Sequence, residues 1–262
     1  MIDTHAHLNQ IDYDSDLGEV VESAYQRGIK AIICVGTTSD SSAKGVKIAL
    51  QYPQVHPAVG IQPNYTAEVG DDDWNAVVEL SADPNVVAIG ETGLDRYWDF
   101  APLSVQYDYF DRHLRLARQR DLPVVIHCRE AEAELLEVLR EAAGRGPLQG
   151  VLHSFSGSAE FAAECVKLGL FVSFSGMVTY RNRKFLPLRE VVGSIPEGRL
   201  LLETDSPYLV PHPLRGRQKR NEPANLGLIA ESVAELRGVS TAEIIGTTTA
   251  NARRLFSLAE PG

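Results

Sequence analysis

Two histidines separated by one residue, His5 and His7, are the first side chains in this sequence that could carry out chemistry. They end a short apolar run, and an extended strand places residues i and i+2 on the same side. We therefore expect His5 and His7 to project together, with Asp3 on that side too. Two neighbouring imidazoles suit one transition-metal ion. Seven histidines in 262 residues would nevertheless produce a chance H-x-H roughly one time in five, so a metal site requires further ligands.

Other apolar runs also end in residues of the ligand type, namely Glu91, His127, His153 and Asp205. Taken singly, each has a structural explanation. A lone histidine after a strand is usually a core or loop residue, and a lone acid there is usually a helix cap, a role that Asp205 could fill. For His56 and His113 we expect structural roles, and the sequence leaves His212 undecided.

Bringing these residues together requires a scaffold, and the sequence alternates short apolar, β-branched runs with stretches of helical periodicity. Eight runs are candidate strands: 1–5, 30–36, 55–61, 86–91, 123–128, 150–155, 170–176 and 199–205. Apolar residues at i, i+3, i+4 spacing indicate helices in 14–27, 102–120 and 225–237. Ser240 and Glu243 form a capping box at the start of a last helix.

This alternation predicts a single-domain α/β protein over residues 1–262, a (β/α)₈ TIM-type barrel, because strands that are apolar throughout imply a parallel sheet buried on both faces. An open doubly wound sheet is the alternative, although no G-x-G-x-x-G follows the first strand. In a barrel, active-site residues come from the carboxyl ends of the strands. The four candidate histidines and the two candidate carboxylates all fall there. If they formed no site, a separate structural explanation would have to hold at each of the six positions.

Six nitrogen and oxygen ligands can hold one or two divalent ions, and they exclude a thiolate-type site. Glu91, on the fourth strand between the two flanks, is the best placed bridge. Two ions ~3.5–4 Å apart would polarise a phosphoryl or carbonyl oxygen and lower the pKa of a bound water. Asp205 is the candidate base, because it can ligate with one oxygen and accept a proton with the other. The predicted reaction is metal-assisted hydrolysis.

The composition limits which binding partners and which cellular compartment are expected. The net charge of −10 argues against a tight, non-enzymatic DNA-binding protein but is compatible with an enzyme that has a locally positive cleft. The basic stretch 214–223 is most simply a solvated loop. No apolar run approaches the ~20 residues that cross a bilayer, and we expect no secretory signal, no membrane association and no obligate protein partner. Three scattered cysteines, Cys34, Cys128 and Cys165, predict a reducing cytoplasm.

Taken together, these segments identify a family resemblance that spans essentially the whole chain. The sequence closely resembles the TatD family of metal-dependent hydrolases, within the amidohydrolase-like barrels. The resemblance is carried by "DTHAHL" (3–8), "GETGLD" (90–95), "VIHCREA" (125–131), "HSFSG" (153–157), "ETDSPYL" (203–209), "RNEPANL" (220–226) and "NARRLF" (251–256).

The resemblance implies a (β/α)₈ barrel, a divalent-metal site and the same six ligands: His5, His7, Glu91, His127, His153 and Asp205. It also implies a Mg²⁺- or Mn²⁺-dependent deoxyribonuclease, often a 3′-to-5′ exonuclease, that acts on single-stranded DNA or 3′ ends. Zn²⁺ could occupy the site in the purified protein. Members are also described as removing D-amino acids from mischarged tRNA, so a deacylase with the same metals is the first alternative.

Substrate contacts are predicted at Arg129, Ser154, Tyr208, Arg220 and Asn221. The guanidinium of Arg129, on the same side as His127, could bind a phosphate or instead pair with a neighbouring glutamate. The ring of Tyr208 could stack on a base or pack in its loop. The chain departs from the family pattern at Gln62, where many members have histidine, so binding in the cleft is expected to be weaker or differently tuned. It also has Ser154 where cysteine is common, which should matter little because a hydroxyl can still donate to a phosphate.

Two further alternatives belong to other classes. A small-molecule amidohydrolase or lactonase would often bridge its metals with a carboxylated lysine on the fourth strand, where this chain has Glu91. A metal-dependent binding module would show affinity for nucleic acid without turnover.

Overall fold

The computed structural model describes residues 1–259 and confirms the predicted barrel; residues 260–262 of the predicted domain lie outside the described residues. One sheet of parallel strands runs in chain order, and each strand is hydrogen-bonded to the next. The strands are β1 (Ile2–Ala6), β2 (Ala31–Val35), β3 (Val55–Val59), β4 (Ala88–Asp95), β5 (Val124–Arg129), β6 (Gly150–Leu152), β7 (Phe171–Phe174) and β8 (Leu200–Leu202). Each overlaps one of the eight predicted runs.

Helices lie between and after the strands, including at the three stretches where the periodicity predicted them. They are α1 (Leu17–Gln26), α2 (Ser39–Gln51), α3 (Asp71–Leu80), α4 (Leu103–Arg120), α5 (Glu132–Gly144), α6 (Ala159–Lys167), α7 (Leu186–Ser194), α8 (Leu226–Arg237) and α9 (Thr241–Phe256). The capping box at the start of α9 is formed, since the Glu243 amide donates to Ser240 Oγ at 3.2 Å. Within residues 1–259 no helix is both long and apolar enough to span a membrane.

The barrel closes between β1 and the segment that follows β8. The amide of Asp205 donates to the His5 carbonyl at 2.9 Å, and the amide of His7 donates to the Ser206 carbonyl at 2.7 Å. Beneath them, the buried Asp3 carboxylate accepts from the amide and the hydroxyl of Thr204, at 2.9 and 2.6 Å. Burial raises the pKa of Asp3 to about 7. Closure therefore fixes His5, His7 and Asp205 in one place.

Asp3 corrects the simple alternation argument. Asp3 pairs with Ile32 and Ala6 pairs with Cys34, so an advance of three residues along β1 matches two residues along β2. This shift in register marks a bulge between Asp3 and Ala6. A bulge changes which side successive residues face. The carboxylate of Asp3 consequently binds Thr204 and does not join the histidines.

The barrel interior is filled by apolar side chains and is covered at its amino-terminal end by α9. Leu255 and Phe256 pack in one buried cluster with residues near the starts of the strands, such as Ile2, Ala31 and Phe171. The Asn251 side chain donates to the carbonyl of Leu200, where β8 begins, at 2.9 Å. The carboxyl-terminal end remains for a functional site, as is usual in this architecture.

Candidate metal centre

All six predicted ligands converge at the carboxyl-terminal end of the barrel. His5 lies in β1, Glu91 in β4 and His127 in β5, while the other three follow their strands directly. His7 is one residue past β1, His153 one past β6 and Asp205 three past β8. Ligand atoms of these residues form three groups within 4.8 Å: His5, His7 and Glu91; Glu91, His127 and His153; His5, His153 and Asp205.

The two carboxylate oxygens of Glu91 face different histidine pairs. Its Oε1 lies 3.0 Å from His127 Nδ1 and 3.2 Å from His153 Nε2. Its Oε2 lies 3.4 Å from His5 Nε2 and 3.7 Å from His7 Nε2. This is the geometry expected of a carboxylate shared between two adjacent cation sites.

Asp205 lies beside the pair formed by His5 and His7. Its Oδ1 is 3.5 Å from His7 Nε2 and 3.8 Å from His5 Nε2. Burial opposes ionisation of Asp205, but the nearby histidines outweigh that effect and lower its pKa below the ordinary value. The residue is therefore an anion that can ligate a cation or accept a proton.

Glu91 is held by an irregular segment of β4. The register between β4 and β5 shifts between Ile89 and Thr92, which marks a bulge around Glu91. The glycines on either side, Gly90 and Gly93, have φ angles of +143° and +139°. Residues other than glycine rarely adopt such angles. A Cβ on Gly90 would lie 2.6 Å from the Val125 carbonyl oxygen, so β4 approaches β5 closely only because this residue is glycine.

Two of the histidines are oriented by a hydrogen-bond partner on the other ring nitrogen, and a third faces a carboxylate there. His7 Nδ1 lies 3.0 Å from the Val35 carbonyl oxygen, and His127 Nε2 lies 2.9 Å from Asp95 Oδ2. His153 Nδ1 faces Glu203 Oε1 at 3.5 Å. Metal-binding histidines usually have such a partner, which fixes the tautomer and the orientation of the ring.

The charge balance of the cluster fits a cation. Nε2 of His5 and Nε2 of His7 are 3.1 Å apart, and Nδ1 of His127 is 3.3 Å from Nε2 of His153. Burial opposes ionisation of Glu91, yet the histidines hold its pKa well below the ordinary value for glutamate. In turn, Glu91 and Glu203 outweigh burial and raise the pKa of His153 well above the ordinary value for histidine. Converging ring nitrogens around a buried anion attract positive charge, and a divalent ion supplies it without protons.

The cluster lies in the wall of a cavity of about 850 Å³. Arg129, Ser154, Tyr208 and Gln62 also line this cavity. The guanidinium carbon of Arg129 lies 3.6 Å above the centre of the Tyr97 ring, so this side chain stacks on an aromatic surface. The Tyr208 hydroxyl donates to Gln10 Oε1 at 2.8 Å, and half of the residue is exposed.

Arg220 and Asn221 do not line this cavity, in contrast to the other predicted substrate contacts. Asn221 is fully buried and donates to the Thr204 carbonyl at 2.9 Å. Arg220 pairs with Asp16, at 2.5 Å, and with Glu222. Their contacts hold the chain after β8, and their polar groups are engaged within the protein.

The remaining histidines lie outside the cluster. His113 is fully buried, accepts from the Ile61 amide at 3.0 Å and donates to the Tyr109 carbonyl, which is a structural role. His56 and His212 are not among the clustered ligands of the described chain. Burial raises the pKa of the Cys128 thiol well above its usual range, so Cys128 does not supply a thiolate nucleophile.

A barrel with this buried cluster of histidines and carboxylates defines a metal-dependent hydrolase. The chain belongs to the family of TatD-related DNases, whose model matches residues 2–257. The resemblance predicted from the motifs is thereby confirmed.

Individual relatives match along the full chain. YabD of Bacillus subtilis (strain 168), named as an uncharacterized metal-dependent hydrolase, is 42% identical over 258 residues, which cover 98% of this chain and 99% of YabD. The 3′-5′ ssDNA/RNA exonuclease TatD of Citrobacter rodentium is 36% identical over 260 residues and 98% of each chain. The crystal structure of YJJV, a TatD homolog from Escherichia coli K12, matches with a TM-score of 0.91 and 29% identity, covering 99% of this chain and 98% of YJJV.

Proposed function

We propose that this protein is a divalent-metal-dependent exonuclease that hydrolyses phosphodiester bonds from the 3′ end of single-stranded DNA. The observation that carries the proposal is the division of the Glu91 carboxylate between two histidine pairs, with Asp205 beside one of them. The relatives named 3′-5′ ssDNA/RNA exonuclease support a nucleic-acid substrate and the direction.

The geometry would allow His5 and His7 to bind one divalent ion and His127 and His153 to bind a second, with Glu91 available to both. Bound divalent ions would neutralise the scissile phosphate and lower the pKa of a water. We propose Mg²⁺ or Mn²⁺ for turnover, with Zn²⁺ as an occupant in the purified protein. Nitrogen and oxygen ligands accept all three ions.

The remaining steps belong to side chains of the cavity. Asp205, ionised and next to the first pair, takes the proton of the attacking water. The Arg129 guanidinium, positioned on Tyr97, contacts a backbone phosphate of the substrate. Ser154, whose hydroxyl lies 2.9 Å from that of Ser175, can donate a hydrogen bond to a phosphate oxygen.

A direct test follows a 5′-labelled single-stranded oligonucleotide on a sequencing gel after the protein is stripped with a chelator and reloaded with Mg²⁺ or Mn²⁺. We expect a ladder that shortens from the 3′ end. Asp205→Asn should keep the fold and lose at least ~100-fold in kcat, because general bases contribute that much or more. Asp40→Asn, at an exposed position in α2, is the charge-matched control and should be fully active.

Wild-type turnover in Asp205→Asn would remove this residue from the mechanism. An absence of cleavage in metal-loaded wild type would overturn the nuclease proposal, and D-aminoacyl-tRNA would then be the next ester to test. A lactonase with a carboxylated lysine is disfavoured, because no lysine of the described chain lines the cavity.

The proposed location is the cytoplasm. Cys34, Cys128 and Cys165 are unpaired in the described structure, which suits a reducing compartment.

A further inference from the structure

A group of exposed aromatic residues follows β4 at the edge of the cavity. Tyr97, Trp98 and Phe100 lie within four residues, and they are 48%, 44% and 59% exposed. Single exposed apolar residues are ordinary, whereas a contiguous exposed apolar patch beside a cavity is a candidate binding surface. Trp98 and Phe100 line the same cavity as Glu91 and Asp205.

The rings of this group are ordered relative to one another. Trp98 and Phe100 are nearly parallel, with ring centroids 5.4 Å apart and an interplanar angle of 15°. Tyr97 meets Trp98 edge to face at 4.8 Å, and Arg129 covers the ring of Tyr97 at 3.6 Å. The Arg129 guanidinium therefore occupies one face of Tyr97 and also lies 5.7 Å from the centroid of Trp98. Trp98 and Phe100, although stacked on each other, still expose about half of their surface to solvent.

Asp95 connects this group to the metal centre. Its Oδ1 accepts hydrogen bonds from the backbone amides of Tyr97 and Trp98, at 2.9 and 3.1 Å. Its other oxygen lies 2.9 Å from Nε2 of His127. A single buried carboxylate thus fixes the position of the aromatic loop relative to a predicted metal ligand.

We propose that Trp98 and Phe100 form a stacking platform for unpaired bases of the strand that enters the cavity. The proposal rests on the proposed nuclease function and specifies how that site would select single strands. Every base has a π-face, so stacking on aromatic side chains binds single strands without regard to sequence. Arg129, next to the platform, supplies the positive charge that a phosphate between stacked bases requires.

The platform also predicts selectivity against duplexes. Bases in a duplex are already stacked and paired, so they offer no free face to Trp98. Opening terminal pairs costs free energy, and cleavage of a blunt duplex should be correspondingly slow. A single strand meets no such cost.

Kinetics with two substrates test the stacking directly. Trp98→Ala should raise KM for a single-stranded oligonucleotide about 10-fold, with kcat within about twofold, because stacking contributes mainly to binding. Trp98→Phe should restore most of the loss. Leu50→Ala, at a position 71% exposed on α2, is the matched control and should leave KM unchanged.

An abasic substrate makes the test specific for a base. For wild type, removing the bases near the 3′ end should cost as much as Trp98→Ala, and the two losses should not add, since both remove the same contact. Full additivity, or an unchanged KM in both Trp98→Ala and Phe100→Ala, would overturn the platform.

Fluorescence gives a readout that does not depend on turnover. The chain has two tryptophans, so Trp74→Phe leaves Trp98 as the only one. In the chelator-treated variant, a single-stranded oligonucleotide should quench and saturate this emission, and an abasic strand of the same length should quench it much less. Equal quenching by both strands would contradict base stacking. If wild type cleaves the strand and Trp98→Ala leaves KM unchanged, only the platform is refuted. If metal-loaded wild type does not cleave, the nuclease proposal is refuted.

Discussion

At the scale of single residues, the structure distinguishes side chains that would bind cations from side chains that position those predicted ligands. Asp95 contacts His127 through Nε2, on the side of the ring opposite to Glu91. Asp95→Asn keeps the size of the side chain but removes its charge and one acceptor. We expect affinity for Mn²⁺ to fall about 10- to 100-fold with little loss of fold, as for other partners of metal-binding histidines.

Calorimetric titration of the chelator-stripped protein with Mn²⁺ measures this effect. Asp108→Asn is the control, because Asp108 forms an exposed pair with Arg112 on α4, at 2.7 Å, and surface pairs contribute little to stability. If Asp95→Asn bound Mn²⁺ as tightly as wild type, the carboxylate would have no role in holding His127.

The convergence of the six predicted ligands could be anticipated from the sequence because each ends an apolar run, and the barrel makes those ends meet. Asp95 and Glu203 were not predicted, although they lie in the motifs "GETGLD" and "ETDSPYL". A period of two does point to them, since Asp95 follows Glu91 by four residues and Glu203 precedes Asp205 by two. The contacts of Arg220 could not be predicted, because its partner Asp16 is distant in the sequence.

At the scale of elements, regular alternation predicted the strands but not their bulges. Both irregular segments, in β1 and β4, carry predicted ligands. Apolar runs show where a strand lies, whereas a bulge depends on how its neighbour is paired. This is why Asp3 was expected beside His5 and instead lies with Thr204.

A substitution of Gly93, two residues after Glu91, tests whether the irregular segment of β4 requires glycine. In Gly93→Ala, the new Cβ would overlap the carbonyl oxygen of His127, and a φ of +139° disfavours alanine. We expect a loss of about 2–4 kcal/mol in the free energy of unfolding, from strain and overpacking together. Urea titration followed by circular dichroism measures it.

A second glycine gives the comparison for that experiment. Gly144→Ala, at the end of α5, meets no atom within 4 Å of the new Cβ and should be neutral or slightly stabilising. Equal effects of the two substitutions would show that the close approach of β4 to β5 does not require glycine at position 93.

At the scale of the whole molecule, the barrel separates stability from function along its axis. The α9 helix covers one end with apolar side chains, and the other end gathers buried histidines and carboxylates that could hold a cation. The alternation of elements was enough to predict the barrel. The role of α9 as the cover could not be predicted, because an amphipathic pattern does not identify the surface against which a helix packs.

The pH dependence of folding provides a prediction for the whole chain that does not involve the metal ligands. Burial lowers the pKa of His113 to about 4, from 6.5, because its site accepts only the neutral ring. Below pH 6.5 the unfolded chain binds a proton that the folded chain does not bind, so stability must fall as the pH falls from about 6.5 to about 4. At about 1.4 kcal/mol per pKa unit, the loss from this residue approaches about 3 kcal/mol.

Urea unfolding of chelator-stripped protein at a series of pH values from 4.5 to 7.5 would measure the slope, and His113→Gln would isolate the contribution of this residue. The variant loses contacts with Ile61 and Tyr109, so we expect lower stability at pH 7.5 but a shallower decline towards pH 4.5. Other titrating groups contribute equally to both proteins and cancel in the difference. Parallel curves for the two proteins would mean that the folded chain accommodates the protonated ring, contrary to the enclosed site that the barrel builds around His113.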